Sequence, residues 1–492
     1  DGIPASGDRT LLTDRLRKRW GFDGLIVSDY DAVPQLQLQG VAASVADAVR
    51  IALHAGIDVD LHSGTYLEQL PALARAGKVP MAELDAAVRR VLEAKYRLGL
   101  FRDPFRYGSD RERAERAMSS PQHRKLAREA ARESMVLLKN NGVLPLAKHG
   151  RIAVLGPLAD ERETLLGPMH ALGKPDDVVS ILSGIRAAVG TAAHVDYVQG
   201  VGVDGDDTSG IAAAVRAAKA ADVAIVAVGE SLAMIGESDS RTHLDLPGRQ
   251  LDLVKAVVAT GTPVVVLLVS GRPLAVPWLD QHVAAILDTW LPGDEGGHAV
   301  ADLLFGKANP SGKLPMTFPY DVGQVPIYYA QRPTSRPLDI AHPEYTSHYT
   351  DAPNAPLYPF GYGLSYTQFR YGKVHLSSDH LAPGGKLTVR VRLTNSGQRR
   401  GTEVVQLYVH DVVASVSPAV RLLKGFQRVT LAPGESREVA FALTPEDLAF
   451  HRADMRLGTE PGKYQVFVGG DSTTTHGAHF MLDAGAGTGV PH

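Results

Sequence analysis

The spacing of apolar residues changes along this 492-residue chain, and that change restricts the fold more than any single motif. From about residue 151 to 320, unbroken apolar runs (Ile152 to Leu155, Val223 to Val228, Val264 to Val269, Ala284 to Leu287) alternate with stretches of helical spacing such as Ile211 to Ala220 and Gln250 to Val258. Runs of that kind are strands covered on both faces, so the segment reads as a complete α/β domain. From residue 387 the period drops to two. Leu387, Val389, Val391 and Leu393 alternate with Thr and Arg, and the alternation recurs at Val405-Leu407-Val409, Val439-Phe441-Leu443 and Tyr464-Val466-Val468. One buried face per strand predicts an all-β sandwich of immunoglobulin or fibronectin type III kind over 371–483.

The first hundred residues follow a third pattern. Gly24 to Tyr30 is a short apolar run that ends in polar residues, and Ile57 to Leu61 is a second. Each precedes a helical stretch: one opens at Ser44 as N-cap and closes at Gly56, and the other runs from Leu84 to Gly99. Two parallel strands leave their edges and faces uncovered, so residues 1–105 read as the C-terminal part of a larger β/α unit. Residues 106–150 are expected as an interdomain linker, 321–370 as a connector rich in Tyr and Pro, and 484–492 as a Gly-rich flexible tail. About 150 residues per domain agrees with three modules.

Composition narrows the partners. Lys plus Arg number 51 and Asp plus Glu 54, a formal charge of −3, so no basic excess points to nucleic acid or an anionic membrane. The longest apolar runs are far below the roughly 18 residues of a spanning helix. With no Cys, thiolate nucleophiles, disulfides and Cys-bound metals are excluded. H-E-x-x-H, EF-hand and Walker patterns are also missing, so no cofactor or metal is expected. The chain opens at Asp1 without Met, and its natural N-terminus is expected upstream.

Two loops could carry chemistry. Asp29 stands at the end of an apolar strand in a β-α setting, the position at which barrel enzymes place catalytic side chains, with Asp31 as a competitor. After the run Val223 to Val228 comes Gly229 to Arg241, with Glu230, Glu237, Asp239 and Arg241 at the C-terminal end of a strand, where open α/β sheets bind ligands. Each loop could equally be solvated polar chain. Two further patterns compete. Gly200-Val201-Gly202-Val203-Asp204-Gly205 has dinucleotide-binding spacing, but Asp204, Asp206 and Asp207 would repel a pyrophosphate, and no helix can begin before Thr208. Gly229-Glu230-Ser231-Leu232-Ala233 approaches the nucleophile elbow of serine esterases, with Ser231 as nucleophile, but Gly236 and a polar loop follow where a helix should start.

Four motifs carry a resemblance. Lys18-Arg19-Trp20-Gly21-Phe22-Asp23-Gly24 leads into Val27-Ser28-Asp29-Tyr30, and then follow Gly236-Glu237-Ser238-Asp239-Ser240-Arg241, Asn309 to Pro315 and Pro359 to Tyr366. With these the chain resembles glycoside hydrolase family 3, in particular its bacterial periplasmic β-glucosidases, nearly end to end. The resemblance implies a (β/α)8-like barrel, an α/β sandwich and a fibronectin type III domain, in the periplasm or secreted. It makes Asp29 the nucleophile and Glu237 the acid/base, with Glu230 as fallback, and puts Tyr30 and Arg241 at the substrate. Tyr30 stands where the family commonly has Trp. Most of the barrel is absent, including its Lys-His pair, and Lys148-His149 lies in the wrong segment to replace it. The activity implied is retaining exo-β-glucosidase hydrolysis, with xylosides or an inactive fragment as alternatives. Retention needs two carboxyl groups about 5–5.5 Å apart, which the expected docking of the sandwich domain on the barrel would provide. Implied partners are a β-glucoside, the missing barrel segment and a second copy of the chain.

Overall fold

The computed structural model describes residues 2–108, 110–118, 120–336, 341–342 and 344–484, so the expected tail lies outside it except for Ala484. The chain forms two compact units, Asp1–Met118 and Ser119–His492.

In the first unit a π-helical segment, Thr10–Arg19, precedes helices α1 (Ala32–Leu38), α2 (Val45–Ala55), α3 (Thr65–Arg75), α4 (Met81–Arg97) and α5 (Arg111–Ala117). The expected caps are present: Ser44 Oγ accepts from Asp47 N at 3.2 Å, and Gly56 (φ +119°) and Gly99 (φ +74°) close α2 and α4 in left-handed conformations. Val33, Leu36, Val49, Leu53, Ile57, Leu70 and Leu73 form the core. The two expected strands shrink to one parallel bridge, Val27 to Val59, because only two short segments are there to pair. Buried Asp58 ties the unit together. It accepts from Arg17 Nη2 (2.6 Å), Arg90 Nη1 (2.5 Å) and Ile26 N (2.9 Å), which joins the π-helical segment, α4 and the segment before Asp29.

The second unit holds a six-stranded sheet made of β1 (Val136–Asn140), β2 (Gly150–Leu155), β3 (Ala193–Val198), β4 (Val223–Gly229), β5 (Val264–Val269) and β6 (Ala285–Asp288). Its spatial order is β1-β6-β5-β4-β2-β3, parallel except for antiparallel β1. β4 and β5 are buried at every residue because both faces are covered. Helices α6 (Pro121–Ser134), α7 (Glu163–Leu166), α8 (Ile181–Val189) and α12 (Gly296–Leu304) pack on one face, and α9 (Ile211–Lys219), α10 (Gln250–Val258) and α11 (Pro277–His282) on the other. The stretch expected as a linker therefore supplies α6 and the edge strand β1. The second half of the expected connector also packs here: Tyr358 is buried against Phe318, and Leu364 bridges Leu137. Strand order turns back between β2 and β4, which opens a crevice at their C-terminal ends.

A β-sandwich follows. One sheet is β13 (Ser436–Leu443), β10 (Leu387–Asn395) and β7 (Phe369–Tyr371), with β8 (His375–Leu376) also on β10. The other runs β12 (Leu422–Leu431), β11 (Gly401–Asp411), β16 (Gly462–Gly469), β17 (Gly477–Leu482), β9 (His380–Leu381), and a small β14 (Phe450–His451) and β15 (Leu457–Gly458) pair lies apart. The alternating residues of the sequence are its core: Val389, Val391, Leu407, Val439, Phe441 and Val466 are buried. Two buried contacts fasten the sandwich to the α/β part, Lys313 Nζ to Glu403 Oε1 at 3.0 Å and Gln406 Nε2 to Gly361 O at 3.1 Å.

Candidate active site

Asp29 is exposed at the end of the segment that bridges Val27 to Val59. Its Oδ1 accepts from Tyr30 N at 2.7 Å, and its Oδ2 has no hydrogen bond to any described residue. Ser28, buried behind it, fixes the turn by accepting from Leu61 N (2.9 Å) and donating to Asp29 O (2.8 Å). Asp31 is differently placed. It sits at φ +54°, and its Oδ1 lies 3.0 Å from His62 Nδ1, while His62 itself has φ +73°. The His62 ring stacks on Tyr30 at 4.0 Å with 18° between planes, and its Nε2 lies 2.8 Å from Tyr30 Oη. Two strained non-glycine residues therefore hold the Tyr30 ring beside Asp29. One face of Tyr30 is covered by His62, and the residue is 57% exposed.

On the second loop, which leaves the C-terminal end of β4, the two glutamates have opposite environments. Glu230 is fully buried. Its Oε1 is 2.9 Å from Arg241 Nη1 and 3.2 Å from Arg272 Nε, and its Oε2 accepts from Gly271 N at 3.3 Å. A buried carboxylate needs such pairing, and one shared by two guanidinium groups has no free oxygen for a substrate. Glu237 is exposed at the far side of the loop, beside Ser238 at φ +68°, and bonds to no described residue. Arg241, expected at the substrate, has its guanidinium turned to Glu230 and to Asp245 O (3.2 Å).

Arg272 escaped the sequence reading. It follows Ser270-Gly271 at the end of β5, and its one available signal was a charged residue just past a fully apolar run. His62 escaped for a different reason: it is 32 residues from Tyr30 in sequence, and only the fold makes them neighbours. The other patterns do not form sites. After Gly205 the next helix waits until Ile211, and after Ser231 comes only a 3₁₀ turn, Leu232–Met234, with α10 starting at Gln250. Among the described residues no three His, Asp or Glu side chains are grouped to hold a metal, and no helix is long and apolar enough to cross a membrane.

Comparison with known proteins places both loops in a family context. Residues 1–94 match the glycosyl hydrolase family 3 N terminal domain, residues 135–366 the glycosyl hydrolase family 3 C-terminal domain, and residues 403–472 a fibronectin type III-like domain. A periplasmic beta-glucosidase of Salmonella typhimurium is 46% identical over 98% of this chain and 66% of its own length. A beta-xylosidase of Formosa agariphila is 39% identical over 96% of this chain and again 66% of its own. The crystal structure of a beta-glucosidase from Listeria innocua in complex with isofagomine superposes with a TM-score of 0.92 at 38% identity, covering 98% of this chain and 67% of that one. The chain thus spans about two thirds of the length of such relatives. Three successive domain matches and relatives this similar along nearly all of its residues lead to one conclusion: the chain belongs to glycosyl hydrolase family 3.

Proposed function

We propose that this chain carries the catalytic pair of a retaining exo-β-glucosidase, with Asp29 as nucleophile and Glu237 as acid/base. One observation carries the reading: each loop holds one carboxylate already engaged by a nitrogen partner, Asp31 by the His62 ring and Glu230 by two arginines, and a neighbour with an open oxygen, Asp29 and Glu237. An attacking carboxylate must be ionised and unshared, and a proton donor must reach the leaving oxygen. In the first step Asp29 Oδ2 attacks the anomeric carbon while Glu237 protonates the departing oxygen. In the second, Glu237 takes a proton from water, which displaces Asp29 with overall retention. Tyr30 offers its free face to the sugar ring.

The terminal residue removed is glucose. The beta-xylosidase relative supports a second reading, a xyloside, and kcat/KM on paired aryl glucosides and xylosides separates the two. The similarity to a protein named as periplasmic supports a periplasmic location, checked by fractionating the native cells.

The test uses the full natural protein. Asp29→Asn should abolish turnover of an aryl β-glucoside, and a 2-deoxy-2-fluoro glucoside with a good leaving group should label the peptide that contains Asp29. Glu237→Gln should lose about 10²–10⁴-fold on an unactivated disaccharide and keep most of its turnover of a dinitrophenyl glucoside through the first step. Asp239→Asn, on the same loop, serves as control. Full activity of Asp29→Asn or Glu237→Gln on the disaccharide would refute the assignment.

A further inference from the structure

The loop that carries Glu237 runs from Glu230 to Arg241, and its two ends are the partners of one buried salt bridge. A third residue, Arg272 after β5, lies beneath it. Its Nε pairs with Glu230, and its Nη2 donates to two carbonyls, those of Met234 (2.5 Å) and Asp239 (3.4 Å), which bracket Glu237 on either side. The side chain of Arg272 is 20% exposed, and the Glu230 side chain is fully buried. The same spot is closed sterically. Ile235 is buried over Gly271, where an added Cβ would come within 3.1 Å of the Ile235 side chain. Leu232 N donates to Thr164 Oγ1 at 3.1 Å, a second tether to the α/β body.

We infer that Arg272, oriented by buried Glu230, is the positioning residue that sets the height and direction of the Glu237 loop. The inference rests on the reading of Glu237 as acid/base. A guanidinium has donors in a fixed planar fork, so one end can stay on the carboxylate while the other holds the loop carbonyls. A Lys ammonium could keep the charge pairing but could not span both. A proton donor must lie within hydrogen-bond reach of the leaving oxygen, and a 1 Å displacement can cost about a hundredfold. Arg272 should therefore act on the step that needs Glu237 and leave binding nearly untouched.

The experiment compares Arg272→Lys with Glu237→Gln in the full natural protein, on an unactivated β-linked disaccharide and on a dinitrophenyl glucoside that departs without protonation. Arg272→Lys, which keeps Glu230 paired, should melt near the parent. It should lose roughly ten- to a hundredfold in kcat on the disaccharide, less than about threefold in KM, and less than about threefold in kcat on the activated substrate in burst kinetics of the first step. Equal losses on both substrates, or a parent-like kcat on the disaccharide, would overturn the positioning role. If Glu237→Gln itself shows no preference for the activated leaving group, the acid/base reading falls and this inference with it. If Glu237→Gln is selective and Arg272→Lys is not, only the inference falls. Should Arg272→Lys melt well below the parent, Thr164→Val, which removes the tether on Leu232 while keeping the Glu230 pairs, is judged by the same substrate comparison. A loss without selectivity there counts against loop positioning.

Discussion

Asp58 and Asp288 are both buried acids, and their surroundings give them opposite consequences. The Asp58 side chain, 1% exposed, is matched by Arg17 and Arg90. Removing its charge leaves two guanidinium groups facing a neutral side chain, so Asp58→Asn should cost about 3–5 kcal/mol in urea unfolding of the first unit. A loss below about 1 kcal/mol would contradict that role. Asp288, at the end of β6, is fully buried, and among the described residues the only hydrogen bond to its carboxyl comes from Trp290 N at 3.3 Å to Oδ1. Burial raises its carboxyl well above the ordinary carboxylate range, only partly offset by the Trp290 hydrogen bond. The folded state therefore holds a proton that the unfolded chain releases above about pH 4, and stability falls by about 1.4 kcal/mol per pH unit from there up to the folded value. Asp288→Asn should melt above the parent at pH 7, and the difference should close as the pH falls toward 4. A difference independent of pH would refute this. The two candidate loops were legible in sequence because each follows a run whose apolar character is plain, Asp29 standing at the end of one, while Glu237 was singled out within the other by the resemblance alone. The fate of Glu230 was not legible, since its arginines come 11 and 42 positions later, one from the far end of the same loop and one from the turn after β5.

Helices α8 and α12 cross where neither carries a side chain. A Cβ on Gly184 would lie 2.0 Å from Gly297 O, and one on Gly297 would lie 2.0 Å from Ser180 O. Backbone cannot yield as a side chain can, so Gly184→Ala should cost at least the roughly 1–3 kcal/mol of an overpacked core, read as a lower melting temperature of the second unit. The same element scale shows why sequence reading placed some pieces well and others poorly. β4 and β5 advertise themselves as unbroken apolar runs, and β10 and β13 by alternation. β1 has an equally apolar start, Val136 to Leu138, but it pairs antiparallel with β6 almost 150 residues on, and its own neighbourhood of polar helix and turn reads as a linker. Tyr358 and Leu364 were hidden in the same way. They reach their partners as single residues of an irregular segment, with no period to reveal them.

At the scale of the molecule, the two units differ in how much core they own. The first gathers a small cluster of buried residues around α2 and leaves Trp20, Leu38, Leu67, Tyr96 and Phe105 more than half exposed. The second has two apolar layers on its sheet and a third in the sandwich. Expressed separately, residues 119–492 should unfold in one cooperative transition, and residues 1–118 should bind a hydrophobic dye and melt without a sharp transition. A sharp, dye-free melt of the shorter piece would refute the second half of that statement. The breadth of the α/β and sandwich layers was visible in the sequence, but their attachment was not. Nothing near Lys313 announces Glu403, which is 90 positions away. That joint makes the sandwich a poor candidate for exchange. A β-sandwich borrowed from another protein would arrive without Glu403 and Gln406, strip the Lys313 ammonium of its carboxylate and leave it only the Gly363 carbonyl at 2.8 Å, leave the buried Gly361 carbonyl without its donor, and so destabilise the very sheet whose loop bears Glu237.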